Sequence, residues 1–152
     1  MENSPPLRFE PVDDASLARA NELSTALYGH ERLEIQGEGR DRAMAELLAN
    51  PELGGAWLIC VDGTVAGYVV LTVCFSLEFH GRFGLLDELY VEEDWRGKGI
   101  GAAALAFVDS ECRRRGLAAV RLEVMHSNVR ALELYRRSGY RVEDRHFLTK
   151  WL

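Results

Sequence analysis

Hydrophobic and polar positions follow two periods along this chain, one typical of helices and one typical of strands. Apolar residues recur at helical spacing after Asp13-Asp14, after Gly39 and after Gly99. β-branched and apolar runs flank the turn Asp62-Gly63-Thr64, the strongest hairpin signal in the sequence. The pattern predicts helices that end near Gly29, at residue 50, before Gly116 and at Gly139, and strands at residues 7–12, 56–62, 65–77, 84–92 and 118–125, with a final strand pair in residues 140–152.

The order of these elements predicts the fold class. Only residues 85–125 form a strand–helix–strand unit, so the sheet should be mixed, with antiparallel hairpins and one parallel pair. We therefore expect an α+β fold with a mixed, mostly antiparallel central sheet of six to seven strands flanked by about four helices. At 152 residues the chain has the length of one ordinary domain, so we expect a single domain over residues 1–152.

Composition narrows the function classes. No window reaches the roughly eighteen uninterrupted apolar residues of a membrane helix, and the polar start of the chain does not resemble a secretory signal. Cys60, Cys74 and Cys112 lack paired spacing, which favours a reducing, cytoplasmic setting. The net charge of −6 disfavours nucleic acid and mildly favours a cationic substrate. No histidine has metal-ligand spacing, so no metal is expected.

The stretch RGKGIG, residues 96–101, separates a strand-like run from a helix-like run. A glycine-rich turn that enters a helix leaves backbone N–H groups free and lets a phosphate approach them. Two alternatives remain open from these residues alone. The glycines can serve tight packing only, or Gly97-x-Gly99-x-x-Ala102 can bind a dinucleotide with Glu123 near the ribose. A Walker-type loop is absent, which excludes nucleoside triphosphate hydrolysis of that type.

Two motifs carry a resemblance to a known family. Residues 96–101 follow Leu89-Tyr90-Val91 and resemble the [Q/R]-x-x-G-x-[G/A] acetyl-CoA signature of the GNAT superfamily of N-acetyltransferases. Asn128, Ala131, Leu134, Tyr135 and Gly139-Tyr140 are similar to that family's N-x-x-A-x-x-[L/F]-Y-x-x-x-G-[F/Y] helix. Within the family, residues 84–101 most resemble the spermidine/spermine, thialysine and histone-type branch. The resemblance implies the GNAT fold, with a splayed parallel strand pair at the acetyl-CoA site.

The resemblance also implies which residues bind the cofactor. The amides of Gly97, Lys98, Gly99, Ile100 and Gly101, with Arg96 at the rim, would bind the pyrophosphate of acetyl-CoA. Leu89, Tyr90 and Val91 would pair with the pantetheine arm as a neighbouring strand does. The N–H of Val91 would polarise the thioester carbonyl. Asn128 and Tyr135 would contact the arm from the opposite side, although Asn128 also fits a simple helix cap.

Catalysis by this family implies acid and base roles. Tyr135 matches the tyrosine that acts as general acid toward the thiolate of coenzyme A. Asp87 and Glu88 are candidates to take the proton from the amine. Neighbouring strand residues face opposite ways unless the strand is bulged, and the residues leave the choice open. The resemblance favours Asp87 as the base and Glu88 for amine binding. Candidates for the acceptor pocket are Tyr28, His30, Glu31, Glu34, Glu78 and His80, with Tyr28 and Glu31 preferred.

The leading hypothesis is acetyl transfer from acetyl-CoA to a primary amine of a small molecule or protein, by direct attack in a ternary complex. Polyamines, amino acids and lysine side chains all fit as acceptors. The alternative is a catalytically weak acyl-CoA-binding module with a regulatory or interaction role. The dinucleotide-binding class is disfavoured by the single parallel crossover. By resemblance, a homodimer is expected.

Overall fold

A computed structural model describes residues 6–31 and 37–152. Up to the last helix, its strands and helices follow the predicted order, and most of them differ from the prediction only by small shifts at their ends. The strands are β1 (Leu7–Pro11), β2 (Gly54–Val61), β3 (Thr64–Ser76), β4 (Gly81–Val91) and β5 (Val120–Leu122). The helices are α1 (Leu17–Glu31), α2 (Gly37–Ala49), α3 (Ile100–Arg114) and α4 (Val129–Arg137).

The β2–β3 hairpin confirms the strongest local prediction. Val61 pairs with Thr64, so Asp62 and Gly63 alone form the turn. Both adopt positive φ, 48° and 77°, as a type I′ turn requires. This turn twists in the same sense as the strands it joins, which explains why an Asp-Gly pair specifies it.

The five strands form one sheet in the order β1-β2-β3-β4-β5, with helices on both faces. The first three pairings are antiparallel, and β4 with β5 is parallel. One face packs against α1 and α2 through Leu23, Leu27 and Met44. The opposite face packs against α3 through Leu105 and Val108. These observations confirm the predicted α+β fold with a mixed sheet and four helices. No helix in the described residues has the length and apolar character needed to cross a membrane.

The predicted strand number of six to seven is wrong, because the sheet of the described residues has five strands. Residues 140–152 form no strand. The run Phe147-Leu148-Thr149-Lys150-Trp151-Leu152 has strand-like composition, but a strand also requires a hydrogen-bonding partner, and here it has none within the described chain. β5 is likewise shorter than predicted, three residues instead of eight.

β5 is short because β4 diverges from it. The two strands pair only from Gly84 with Val120 to Leu86 with Leu122, while β4 continues to Val91. The edge of β4 beyond Leu86 therefore has no strand beside it. This is the splayed parallel pair that the family resemblance implies, and it opens a cleft between β4, β5 and α4.

Candidate active site

A β-bulge in β4 lies at the mouth of this cleft. Val70 of β3 pairs with Glu88 and the next residue, Leu71, pairs with Leu86, so Asp87 is an extra residue opposite neither of them. A bulge of this kind bends the strand and re-aims the side chains around it. Asp87 and Glu88 consequently both line the cleft, although they are neighbours on one strand.

Glu88 is enclosed by hydrogen-bond donors. Its carboxylate accepts from the hydroxyl of Tyr68 at 2.7 Å, the hydroxyl of Ser24 at 3.0 Å and the guanidinium of Arg40 at 3.1 Å. The side chain of Glu88 is only 10% exposed and that of Arg40 only 19%. A buried carboxylate with three donors and a cation is well compensated. Glu88 is therefore better suited to holding the surrounding side chains in place than to exchanging protons with a substrate.

Asp87 has none of these partners. It lines a small cleft, about 50 Å³ in volume, with Glu31, Glu123 and Tyr135. Asp87 itself remains exposed to solvent, but the loss of water around its carboxylate at the cleft raises its pKa, and the negative charges of Glu88 and Glu123 raise it further. Burial likewise raises the pKa of Glu31, with a smaller contribution from Glu88. The cleft is therefore anionic, and Asp87 and Glu31 bind protons more readily than ordinary surface acids do.

The open edge of β4 offers backbone groups to a ligand. The N–H of Glu92 donates to the carbonyl of Ala66 at 2.9 Å, so it points toward β3. Because alternate residues of a strand direct their backbone groups to opposite sides, the N–H groups of Val91 and Leu89 point toward the cleft. The carbonyl of Val91 accepts from Nε of Arg96 at 2.9 Å, which ties the glycine loop to the end of the strand. Tyr90 points its ring to the α1 face, where it packs against the same buried core cluster as Leu17 and Tyr28 do.

The glycine loop has the geometry of an anion site. Gly97 and Gly99 have φ of 74° and 80°, which side-chain-bearing residues rarely adopt, and α3 begins directly after Gly99. The first N–H groups of α3 have no partner within the helix. A Cβ placed at Gly99 would meet no atom within 4 Å, so a ligand can reach this backbone. The loop therefore fits the phosphates of acetyl-CoA by its donors and its open approach.

Three cations surround this loop. Arg96 and Lys98 belong to it, and the guanidinium of Arg130 lies 3.6 Å from where a Cβ of Gly97 would be. Gly101 permits close packing with α4, because a Cβ there would lie 2.9 Å from Cδ2 of Leu134. Ile100 is buried in the core, so it contributes only its backbone. The loop, α3 and the start of α4 thus form one cationic wall of the cleft.

Asn128 and Tyr135 place α4 opposite β4. Oδ1 of Asn128 accepts from the N–H of Ala131 at 3.1 Å, which caps the helix and leaves the Nδ2 group available. Tyr135 lies on the cleft and packs edge-on against Tyr140, with ring centroids 5.9 Å apart. Burial raises the pKa of Tyr135, and the charge of Glu31 adds to this. Its hydroxyl is therefore a neutral donor and a weak acid.

The remaining predicted pocket residues divide into three groups. Glu31 lines the cleft, whereas Tyr28 does not and instead stacks on Arg40, the partner of Glu88, at 3.9 Å. His30 is exposed at the end of α1 and lies edge-on to Tyr90. Glu78 pairs with Arg145, and His80 occupies a left-handed turn position, so neither lines the cleft. Glu34 falls outside the described residues.

Sequence reasoning missed three functional candidates. The sequence indicates Glu123 only as a ribose ligand, yet it lies in the acidic cleft with Asp87. Neither Arg130 nor Arg40 is among the residues that the motifs predict. Arg130 could have been found from its place two residues after the Asn128 cap, where its side chain can reach the glycine loop. No sequence pattern indicates Arg40, because its contact with Glu88 joins positions 48 residues apart.

A comparison with known protein families decides the relationship. The sequence profile described as "Acetyltransferase (GNAT) family" matches residues 20–140. The chain belongs to the acetyltransferase (GNAT) family. The family prediction made from the sequence is confirmed, and acetyl-CoA is the cofactor that GNAT acetyltransferases use. The family assignment rules out the alternative that the glycine loop binds a dinucleotide.

Individual relatives agree with this placement. The thialysine N-epsilon-acetyltransferase of Sus scrofa is 34% identical over 131 residues, which cover 82% of this chain and 72% of the relative. Two other curated relatives match over less than half of their own length, 44% and 42%. The match with the thialysine N-epsilon-acetyltransferase of Sus scrofa is consistent with the GNAT branch that residues 84–101 resemble.

Solved structures share the GNAT fold over nearly the whole chain. An integron cassette protein from the mobile metagenome of Cole Harbour Salt Marsh superposes with a TM-score of 0.82 at 30% identity, covering 95% of this chain and 90% of that one. A predicted acetyltransferase with acetyl-CoA from Clostridium acetobutylicum superposes with a TM-score of 0.81 at 16% identity, covering 95% and 96%. The second match shows the fold alone.

Proposed function

We propose that this GNAT protein transfers the acetyl group of acetyl-CoA to a primary amine by direct attack in a ternary complex. The observation that carries the proposal is the convergence at one cleft of a bulged aspartate, an open strand edge and a tyrosine. Asp87 and Tyr135 line the same cleft, and the N–H of Val91 points toward it. Acetyl-CoA supplies the acyl group as a thioester when it is bound along this edge.

The acids of the cleft support a cationic acceptor. Glu31, Asp87 and Glu123 line the cleft, and among the described residues only the fourth acid, Glu88, is paired with a cation. Opposite charges within a few ångströms attract, most strongly where water is partly excluded. We therefore propose that the acceptor is a protonated primary amine of a polyamine, an amino acid or a lysine side chain.

Asp87 is the proposed base. A primary alkylamine with a pKa of about 10.4 is mostly protonated at neutral pH, and only its neutral form can attack a carbonyl. The raised pKa of Asp87 brings its proton affinity closer to that of the amine, and its position in the cleft allows direct or water-mediated proton transfer. Glu88 holds the bulge in place through Tyr68, Ser24 and Arg40, so we assign it to positioning.

Val91 and Tyr135 complete the proposed site. The N–H of Val91 can donate to a carbonyl oxygen that gains negative charge during attack. The hydroxyl of Tyr135 can donate to a thiolate at the opposite side of the cleft. Because its pKa is raised, hydrogen bonding to the thiolate is easier than complete proton transfer. The glycine loop, with Arg96, Lys98 and Arg130, would hold the phosphates.

The test is thiol release from acetyl-CoA in the presence of an amine panel. The panel contains spermidine, a thialysine-like amino acid and a lysine-containing peptide. We expect thiol release with at least one amine and loss of that activity in Asp87→Asn. Glu46→Gln is the matched control, because Glu46 is an exposed acid of α2 outside the cleft. Tight acetyl-CoA binding without thiol release from any amine would favour the acyl-CoA-binding module instead.

The setting of the protein forms part of the same proposal. We propose a single GNAT domain over residues 1–152 that acts in the cytoplasm and does not use nucleic acid. The free thiols of Cys60, Cys74 and Cys112 support a reducing compartment. We also propose a homodimer, supported by large apolar side chains that are exposed near the end of the described chain.

A further inference from the structure

Three leucines close the cleft at the end away from the glycine loop. Leu86 of β4 and Leu122 of β5 form the last residue pair before the two strands diverge, and both line the cleft. Leu27 of α1 lines it from the other face of the sheet. The cleft is therefore bounded by apolar side chains on both faces, at the point where the strands rejoin.

The leucine walls are fixed by the cores behind them. Leu27 is 6% exposed and Leu86 is 5% exposed, and each belongs to a buried core cluster. Leu122 is half-buried and packs against the same cluster as Leu86. Protein cores are close-packed, so side chains of this kind cannot move aside without overpacking their neighbours. The walls therefore set an upper limit to what the cleft can hold.

The volume of the cleft matches a small acyl group. It is about 50 Å³. A void needs about 10–15 Å³ to hold one water molecule, so the cleft holds roughly four non-hydrogen atoms. The proposed reaction places four such atoms there: the carbonyl carbon, carbonyl oxygen and methyl carbon of an acetyl group, and the attacking nitrogen. Each further carbon of a propionyl or butyryl group exceeds this space.

Charge restricts the acyl group as well. Glu31, Asp87 and Glu123 line the same cleft. A carboxylate at the far end of an acyl group would lie near these acids, where partial exclusion of water strengthens the repulsion between like charges. An acyl group with a terminal carboxylate is therefore disfavoured beyond the effect of its length.

We infer that the leucines of the cleft, Leu27, Leu86 and Leu122, select acetyl-CoA over coenzyme A thioesters with longer acyl groups, and that the acids of the cleft reject acyl groups that carry a carboxylate. This inference rests on the proposed function, because it requires the thioester carbonyl to lie in this cleft. It deepens that function by naming the residues that determine the acyl donor. In a hydrophobic pocket, one methylene changes discrimination by about 10–200-fold.

Calorimetric titration of the full chain with four thioesters, without any amine, tests the selection. The thioesters are acetyl-CoA, propionyl-CoA, butyryl-CoA and succinyl-CoA. The Kd of butyryl-CoA should exceed that of acetyl-CoA about tenfold or more, with propionyl-CoA between them. Succinyl-CoA has the same four acyl carbons as butyryl-CoA and adds a carboxylate. It should bind about tenfold more weakly than butyryl-CoA.

Leu122→Ala tests the role of the leucine walls. Because Leu122 is only half-buried, its truncation widens the closed end of the cleft with little loss of buried core. The ratio of the Kd of butyryl-CoA to that of acetyl-CoA should fall about fivefold or more. Leu53→Ala is the matched control, because Leu53 is an exposed leucine outside the cleft, and it should keep the ratio of the unmodified chain.

Equal affinities of the unmodified chain for acetyl-CoA and butyryl-CoA would overturn selection by volume. A ratio that Leu122→Ala leaves unchanged would overturn the role of the leucines. Equal affinities for butyryl-CoA and succinyl-CoA would overturn the effect of charge. None of these titrations contains an amine, so they do not depend on turnover. The expected ratios without thiol release from any amine would contradict the proposed acetyl transfer and leave the selection of the thioester supported.

Discussion

Two buried tyrosine hydroxyls differ in their hydrogen bonding, and this difference leads to a quantitative prediction. Tyr68 is completely buried, and its hydroxyl donates to Glu88 at 2.7 Å. The buried hydroxyl of Tyr140 has no hydrogen-bond partner among the described residues. Burial and the charge of Glu88 raise the pKa of Tyr68 far above its ordinary value, so its hydroxyl is a neutral donor at every working pH. Replacement by phenylalanine therefore removes a bond at one site and an unpaired polar group at the other.

The expected free energies follow from these environments. A hydrogen bond to a charged group contributes about 1.5–3 kcal/mol, so Tyr68→Phe should lower the free energy of unfolding by about 2 kcal/mol. Ser24 and Arg40 still compensate Glu88, which keeps the loss below that of an unpaired charge. Tyr140→Phe removes an unsatisfied hydroxyl, so its effect should lie between zero and a gain of about 1 kcal/mol.

Urea denaturation and thermal melting of both variants measure the difference. A change of 1 kcal/mol shifts the melting temperature of a chain of this size by about 2–4 °C, so the two variants should be separated by roughly 5–10 °C. Both remove the same atom from a buried ring, which makes each the control for the other. Equal losses of stability in the two variants would refute the assigned hydrogen bonding of both hydroxyls.

Three further substitutions test the proposed site. Asp87→Asn should lower kcat about 10²–10⁴-fold. In the pH–rate profile of the unmodified enzyme, activity should be lost on the acid side at a higher pH than an ordinary aspartate gives, because the pKa of Asp87 is raised. Since a raised carboxyl pKa means that ionised Asp87 costs stability above that pKa, Asp87→Asn should melt at least as high as the unmodified chain at pH 7, and a lower melting temperature would contradict this. Tyr135→Phe should lower kcat but preserve acetyl-CoA affinity in calorimetry; an unchanged kcat would remove Tyr135 from the thiolate role. Gly99→Ala should weaken acetyl-CoA binding and cost about 1 kcal/mol of stability, because φ is 80° there, whereas Gly29→Ala in α1 should do neither.

The parts of the fold that were predictable from sequence depend on local signals. Asp62-Gly63 specifies its turn through backbone preferences of two residues, and the glycine loop follows from three glycines before a helical period. The family resemblance added the splay of β4 from β5. The predictions of the turn and the loop held because neighbouring residues alone determine both.

The rest of the site depends on contacts between distant positions. The bulge at Asp87 is a property of the β3–β4 register, which no local pattern in β4 reveals. Arg40 compensates Glu88 across 48 positions, and Glu123 approaches Asp87 only because β5 is parallel to β4. The prediction of a final strand pair in residues 140–152 was wrong for a similar reason. Residues 147–152 have strand composition, but pairing depends on which edge is available.

Because β4 and β5 diverge, the short pairing between them is a weak part of the sheet, called the seam below. Ten residue pairs join β3 to β4, whereas three join β4 to β5. Beyond the seam, α4 is held mainly by side-chain packing of Leu134 and Tyr135. Regions with few backbone hydrogen bonds open locally at low free energy, so amides of α4 should exchange faster than those of β2 and β3. A ligand that bridges β4 and α4 would close this seam, with about 2.7 kcal/mol of stabilisation at 100 times its Kd. We therefore expect that release of coenzyme A from the proposed site loosens α4.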